Sequence, residues 1–452
     1  MSVVTSRLTK EQEKKLCTLL GQAKLSLLFK ATVHGYNNNS FHQKCDRQGP
    51  TVTVAYNKSG YVFGAYISKD YAQTGQNVTD DRAFLFSFCD HKPKAKPLHV
   101  VSNNPQYAFT DSSMGPNYDS LVFLYNNTAT VQSNPGTYNF DPIQMHGNDI
   151  QLIECEVYRV EDYGGLMETP WRNIQWTSEK RKVLMETITN WRPDVGSVKQ
   201  ARMLLVGPVG AGKSSFFNSI SSVFRGHVTS QANTGSAGTS LTTQFRTYSI
   251  KAGQKGKTLP IILCDSMGLE EGLNSGMDMD DFTSILRGQM QDRYQFNSSM
   301  PLQTESVYFR KSVELKDKIH TVAYVIDASK VKLLPDKMIE KFAALRRKAN
   351  QMSVPQLVLL TKVDEACPLV AVDLKNVYRC NYINRMMREV SDLLGVCLSS
   401  VVPVKNYSQE LELDNDTDVL LLSAVNQMLR VTEGYFDDIY ENDSLDRIKP
   451  LF

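Results

Sequence analysis

The sequence predicts a multidomain chain: first a β-rich sandwich with flanking helices, then an α/β domain built on a mostly parallel sheet. Three observations carry that expectation. Through the first third, short apolar or alternating runs such as TVTVAY and FLFSF are separated by turn clusters such as NNNS and NKSG, the mark of many short strands. From Ala201 onward, apolar strands alternate with stretches of helical spacing, a pattern that yields parallel strands covered on both faces. At the head of that region the apolar run RMLLV leads directly into GPVGAGKSS at 207–215.

Composition sets the outer bounds. A chain of 452 residues is long enough for two or three cores. Its 41% hydrophobic and 22% charged content is that of a soluble globular protein. A formal net charge of +2 gives no electrostatic case for nucleic acid or an anionic membrane as partner. The start, MSVVTSRLTKEQEKK, carries charges where a signal peptide needs an apolar core. No apolar run approaches a membrane span, and neither end carries a lipidation signal. The expectation is a cytoplasmic protein without a membrane anchor. Eight scattered cysteines with no C-x-x-C pair read as reduced thiols, not as a zinc or disulfide framework.

In chain order, a short charged helix near 9–20 precedes strands within LSLLFKATVHG (25–35), GPTVTVAY (49–56), YVFGAYIS (61–68), RAFLFSFCD (82–90), SLVFLYNN (120–127) and IQLIECEVYRV (150–160). No catalytic set is visible here. His34 has no evident partner and reads as a structural histidine. Cys45 and Cys89 read as ordinary thiols. The basic loop HKPKAKP (91–97) reads as solvated and proline-stiffened. This third resembles the TLDc domain through LLFKATVHG (27–35), FHQKCDRQGPTVTV (41–54), GYVFGAYIS (60–68), FLFSF (84–88), GPNYDSLVFLY (115–125) and ECEVYRV (154–160). The resemblance implies a protein-interaction module over 1–162, with the proton-pumping ATPase as a partner class.

Residues 163–199 read as a helical connector. Thr169 and Pro170 signal a helix start and Asn190–Pro193 a stop. Trp171, Ile174, Val183, Leu184 and Ile188 would form its apolar stripe. A lever moved by ligand state and a passive strut both fit; the strut is preferred, because an apolar helix face is normally buried.

Over 200–435 the chemistry becomes specific. Gly207, Gly212, Lys213 and Ser214 fit G-x-x-x-x-G-K-[ST] between a strand and a helix. Glycines at 207, 210 and 212 let main-chain N–H groups of Gly207, Gly210, Ala211, Gly212, Lys213, Ser214 and Ser215 face a phosphate cluster at a helix N-terminus. Lys213 would reach the β- and γ-phosphates, and Ser214 would ligate Mg²⁺. Asp265-Ser266-Met267-Gly268 fits D-x-x-G after PIILCD: Asp265 would hold Mg²⁺ through water and the Gly268 N–H would sense the γ-phosphate. Thr361-Lys362-Val363-Asp364 fits [NT]-K-x-D after QLVLLT. A carboxylate at Asp364 accepts from the two adjacent N–H donors of guanine, which adenine lacks, so GTP or GDP is favoured over ATP. The Lys362 stem would cover the base plane.

Further strands are expected at 321–327 and 400–406, with helices near 279–290, 333–350, 371–394 and 416–430; TQFRTYSI (243–250) is expected to hairpin into 260–265 as an antiparallel edge. In the loop 228–243, Thr239 is the candidate switch threonine and Mg²⁺ ligand, with Thr234, Thr242 and Thr243 as rivals. Asn406 is the candidate for the final base-contacting loop, whereas Ser423-Ala424 reads as core helix. Residues 296–311 read as an irregular insertion and 436–452 as an acidic, frayed tail. Leu269 stands where a water-orienting glutamine is common and no arginine lies in the phosphate loop, so hydrolysis is expected to be slow, partner- or dimer-dependent, or absent. The catalytic residues stay unassigned.

This half is similar to dynamin- and septin-like P-loop GTPases. Taken whole, with MLLVGPVGAGKSSFFNS, GHVT (226–229), LPIILCDSMGL (259–269), DRYQFN (292–297), LKDKIH (315–320) and LELD…LLSA (411–424), the chain resembles the interferon-induced protein 44 family. That resemblance implies an interferon-responsive, cytoplasmic, GTP-binding protein of antiviral defence. A scaffold that binds partners without catalysis is the competing expectation.

Overall fold

The computed structural model describes residues 5–448 except 22, 90–94, 194, 233–242, 254–255, 271–275 and 298–299, and only the backbone beyond Tyr440. The chain forms two compact units, Met1–Gly164 and Gly165–Phe452.

The first unit opens with α1 (Lys10–Leu20), entered through a capping box in which Thr9 and Gln12 satisfy each other's main-chain N–H groups. It then follows β1 (Ala23–Lys30), α2 (Ala31–His34), α3 (Asn38–Cys45), β2 (Thr51–Asn57), β3 (Tyr61–Ile67), β4 (Gln76–Val78), β5 (Phe84–Cys89), β6 (Leu98–Val101), β7 (Phe109–Asp111), β8 (Leu121–Phe123), β9 (Val131–Ser133), α4 (Pro142–His146) and β10 (Leu152–Asp162). Six strands pair in the order β1-β10-β2-β3-β5-β6, every pair antiparallel. Period-two alternation divides their side chains between two cores. Val52, Val54, Tyr56, Val62, Phe84 and Phe86 face Leu16 of α1. Ala55, Phe63, Leu85 and Val157 face Phe41, Phe109, Phe123 and Tyr138.

The expected sandwich is thereby corrected. Opposite the six-stranded sheet lie α3, α4 and two two-stranded ribbons, β4-β7 and β8-β9, not a second full sheet. His34 accepts the Lys30 N–H at 3.0 Å through Nδ1, a local structural bond. Burial pushes the Cys45 thiol well up from its ordinary range, in keeping with an inert core thiol. Part of the 91–97 loop falls outside the described residues.

The second unit carries α5 (Ser178–Asn190), β11 (Ala201–Val206), α6 (Lys213–Arg225), β12 (Arg246–Lys251), β13 (Thr258–Asp265), α7 (Met279–Leu286), β14 (Thr321–Asp327), α8 (Asp336–Gln351), β15 (Gln356–Thr361), α9 (Val363–Ala366), α10 (Pro368–Val372), α11 (Asn381–Leu394), β16 (Val401–Pro403) and α12 (Asn415–Ile448). Its sheet runs β12-β13-β11-β14-β15-β16. All neighbours are parallel except β12, which pairs antiparallel with β13 as expected. The sheet is mixed, with helices packed against it. No helix among the described residues is long and apolar enough to cross a membrane.

Two element assignments change. The helix expected from Pro170 begins at Ser178, where the Thr177 side chain caps the Lys180 N–H. The residues before it are held extended instead, with Met167 N donating to Arg379 O at 2.7 Å and Trp171 N to Tyr378 O at 3.0 Å. On α5, Leu184 and Ile188 are buried against α12, but Val183 is exposed. The frayed tail is replaced by continuous helix, since α12 runs to Ile448. Ser423 and Ala424 lie in that helix, with Ala424 in the core as expected.

Between β11 and β14 sits a buried histidine. His320 Nδ1 accepts the Arg202 N–H at 2.9 Å, and Nε2 lies 2.9 Å from the Leu315 carbonyl. That pair of partners fits only the neutral ring protonated at Nε2. Burial, foremost, pulls its pKa down to about 4.

Lowering the pH from about 6.5 to 4 should therefore cost about 3 kcal/mol of stability through His320, because the unfolded chain takes up that proton first; denaturant melts of wild type and His320→Gln across this window should diverge by that slope. Ile188→Ala should cost about 2–4 kcal/mol and Val183→Ala less than about 0.5 kcal/mol, as read from the same melts.

Candidate functional site

The C-terminal ends of the parallel strands meet along one rim, and β11 is the strand from which the chain departs in both directions. In open α/β sheets such a switch point is where ligands bind. The 207–215 loop leaves β11 there and enters α6 through Gly212, whose φ of 95° suits glycine. Gly210 is also left-handed, at φ 76°. The first-turn amides of α6 have no intrahelical acceptor. At Gly207 a side chain has no room: a Cβ would stand 2.1 Å from the Val325 carbonyl oxygen on β14.

Lys213 is buried, and its Nζ donates to the carbonyls of Gly207 at 2.9 Å and Pro208 at 3.1 Å. Burial lowers its pKa, opposed by the charge of Asp265. Ser214 Oγ donates to Asp265 Oδ2 at 2.6 Å, joining the first and second motifs. Burial raises the Asp265 pKa despite Lys213 and the Ser214 hydroxyl, and its Oδ1 is buried with no well-formed hydrogen bond. Downstream, Leu269 is 3% exposed and pairs with the loop: its N–H donates to Gly207 O at 3.0 Å. Gly268 packs on Val209, where a Cβ would come within 2.7 Å of Cγ2.

The third motif reaches the same loop from the other side. Thr361 Oγ1 donates to Ala211 O at 2.6 Å and lies 3.1 Å from Ile326 O. The backbone then bends left-handed at Lys362, φ 57°, into the short helix α9 that carries Asp364. Asp364 is half-buried and makes no hydrogen bond or ion pair to another side chain among the described residues. Just past β16, Asn406 Nδ2 donates to Gly212 O at 3.2 Å, while its Oδ1 is buried without a partner. The structure thus brings Gly207–Ser215, Asp265, Thr361 and Asn406 together. Ser215 O accepts from Ser219 Oγ at 2.7 Å within α6. Thr239, Thr234 and Thr242 lie outside the described residues, and Thr243 is tied to Phe296 N through its carbonyl at 3.0 Å.

Two residues of the site are not flagged by the sequence motifs. Asp327 ends β14 and places Oδ2 3.0 Å from Lys362 Nζ, while Oδ1 accepts from the Ser329 N–H and hydroxyl. An acid at the end of TVAYVID mirrors Asp265 at the end of PIILCD and was the available signal. Asn218, one turn along α6 from Ser214, receives the N–H groups of Gln231 and Ala232 at 2.9 Å and donates to Ala232 O, pinning the stretch that leads into 233–242. Nothing in its spacing marked it.

Fold and site define a class: a TLDc-domain protein with a second, α/β unit whose glycine-rich loop is gripped from several strand ends. The TLDc domain family matches residues 3–161. Interferon-induced protein 44-like of Homo sapiens is 36% identical over 437 residues, 96% of each chain. Interferon-induced protein 44 of Homo sapiens is 38% identical over 437 residues, 96% of this chain and 95% of its own length. The Mus musculus protein of that name is 32% identical over 440 residues, covering 96% and 98%. The chain belongs to the interferon-induced protein 44 family.

The loop's clearance is directly testable. Gly207→Ala should lower stability by more than about 3 kcal/mol, because backbone rather than a flexible side chain blocks the new atom. Gly210→Ala, with nothing within 4 Å, should cost only about 1 kcal/mol from its left-handed backbone; paired thermal melts separate the two.

Proposed function

We propose that the chain is a cytoplasmic guanine-nucleotide-binding protein of the interferon-induced innate and antiviral response, a nucleotide-dependent switch or slow GTPase. Its TLDc unit is the arm that engages protein partners. The observation that carries the reading is the convergence on one glycine loop: Thr361 and Asn406, 150 and 194 residues away, hydrogen-bond to the successive carbonyls of Ala211 and Gly212. Those two bonds support the reading of residues 361–364 as a base-selecting turn and of 207–215 as a phosphate loop beside it.

In this reading the 207–215 amides and Lys213 hold the phosphates, Asp364 accepts from the guanine N–H donors, and Asp327 fixes Lys362 so that its stem lies over the base. Ser214 and Asp265 suit Mg²⁺: both offer hard oxygen ligands, and the unpaired Asp265 Oδ1 is the kind of buried acceptor a cation or its water satisfies. Mg²⁺ would neutralise phosphate charge there. Buried Leu269 supplies no group to orient water, which supports slow turnover or, as a second reading, an adaptor in which this unit is scaffold.

Calorimetric titration with Mg²⁺ present should show GTP and GDP binding and much weaker ATP binding. Lys213→Ala should abolish binding. Asp364→Asn should weaken GTP about 10- to 100-fold, the worth of hydrogen bonds to a charged acceptor, and favour xanthosine nucleotides, whose C2 carbonyl pairs with an amide donor. Equal GTP and ATP affinity, or none for either, would overturn the reading.

A further inference from the structure

Outside the nucleotide rim, the second unit buries two thiols against each other. Cys367 and Cys380 are both 0% exposed, and their sulfurs stand 3.2 Å apart. A disulfide bond is about 2.05 Å long, so bonding needs about 1.2 Å of approach and no rearrangement of elements. Among the described residues no third ligand joins them to make a metal site.

Their places in the chain make them unequal. Each sulfur sits at a helix start, Cys367 ahead of the five-residue α10 and Cys380 ahead of the fourteen-residue α11, and the longer helix presents the stronger positive end. Arg385 adds positive charge nearby. The hydrogen bond between the two sulfurs, foremost, draws Cys380 down to about 7, while the same bond and burial push Cys367 up. Two sulfurs this close, with Cys380 beside Arg385 and the readier of the two to ionise, suit the division of labour of an attacking and a resolving cysteine. Burial instead raises Cys17, Cys45, Cys155 and Cys264.

We propose that Cys367 and Cys380 form a redox-active dithiol that a peroxide converts to a disulfide, a covalent clasp between the turn carrying Asp364 and the start of α11. The Cys380 thiolate attacks one peroxide oxygen and the O–O bond breaks. The departing hydroxide takes a proton and leaves as water. Cys367 then attacks the sulfenic sulfur, the S–O bond breaks, and a second water leaves with the Cys367 proton. Two thiols give up two electrons and the peroxide accepts them. Cys367 directly follows α9, so the clasp fixes the last residue of the base turn; that consequence rests on the guanine reading, whereas the disulfide itself does not.

The test uses full-length protein, reduced, desalted and treated with hydrogen peroxide. Remaining thiols are alkylated in denaturant and the tryptic peptides mapped. The expected result is a cross-linked pair joining the peptide 363–375, which holds Cys367, to 380–385, which begins at Cys380. The alkylated thiols should fall from eight to six and return to eight with dithiothreitol. In Cys367→Ser, dimedone should trap a sulfenic acid at Cys380 that wild type does not accumulate. Recovery of both wild-type peptides as free thiols or as sulfinic acids, or linkage of Cys380 to another cysteine, overturns the proposal. The wild-type map needs neither the variant nor any nucleotide, so a protein that fails to bind GTP still yields the same cross-linked pair.

Discussion

The hydroxyl-to-carbonyl bond from Thr361 Oγ1 to Ala211 O, at 2.6 Å, is the shorter of two side-chain bonds that join the two halves of the candidate site. Both groups are fully buried, so neither has water as an alternative partner, and the bond is enforced by the cost of leaving it unmade. Around it the main chain is packed to contact: Gly207 against Val325, Gly268 against Val209, Gly212 against Asn406. The loop's shape is therefore set by its neighbours, not by its own flexible residues. Preorganisation of this kind lets backbone amides meet an anion without ordering cost at the moment of binding.

The α/β half was largely legible because each motif sat at the end of an apolar run. Strand ends in a parallel sheet must share a rim, so linear order translated into proximity. Asp327 escaped because the sequence pattern gives its partner, Lys362, no role beyond a stem over the base. Thr361 reads in sequence as a base contact, and its bond to Ala211 belongs to tertiary geometry that no local pattern encodes. The connector misled for a different reason. Thr169-Pro170 has a helix-start signature, but the backbone there pairs with residues 378–379, and tertiary hydrogen bonds overrode the local preference.

In the TLDc unit the strands were readable but their cover was not. All seven residues of β2 are buried, Thr51, Thr53 and Asn57 included, so its alternation reads the same whether helices or a second sheet lie over it. One polar cluster of the unit is centred on an enclosed acid. Glu156 is 0% exposed yet holds Lys30 at 2.7 Å, Tyr158 Oη at 2.5 Å and the Arg7 N–H at 2.8 Å. Such an acid is tolerated in the interior because each oxygen is matched, and it ties the segment ahead of α1 to β10, the second strand of the sheet.

α12 has one further implication. Its root lies beside Asp418, which bonds both Tyr407, the residue after Asn406, and Arg181 of α5. From there the helix spans 34 residues, about 50 Å at 1.5 Å per residue. From Val419 to Phe436 it is packed into the core, so its axis is held by the same side chains that hold the sheet, and the last turns to Ile448 continue along a direction that the core sets.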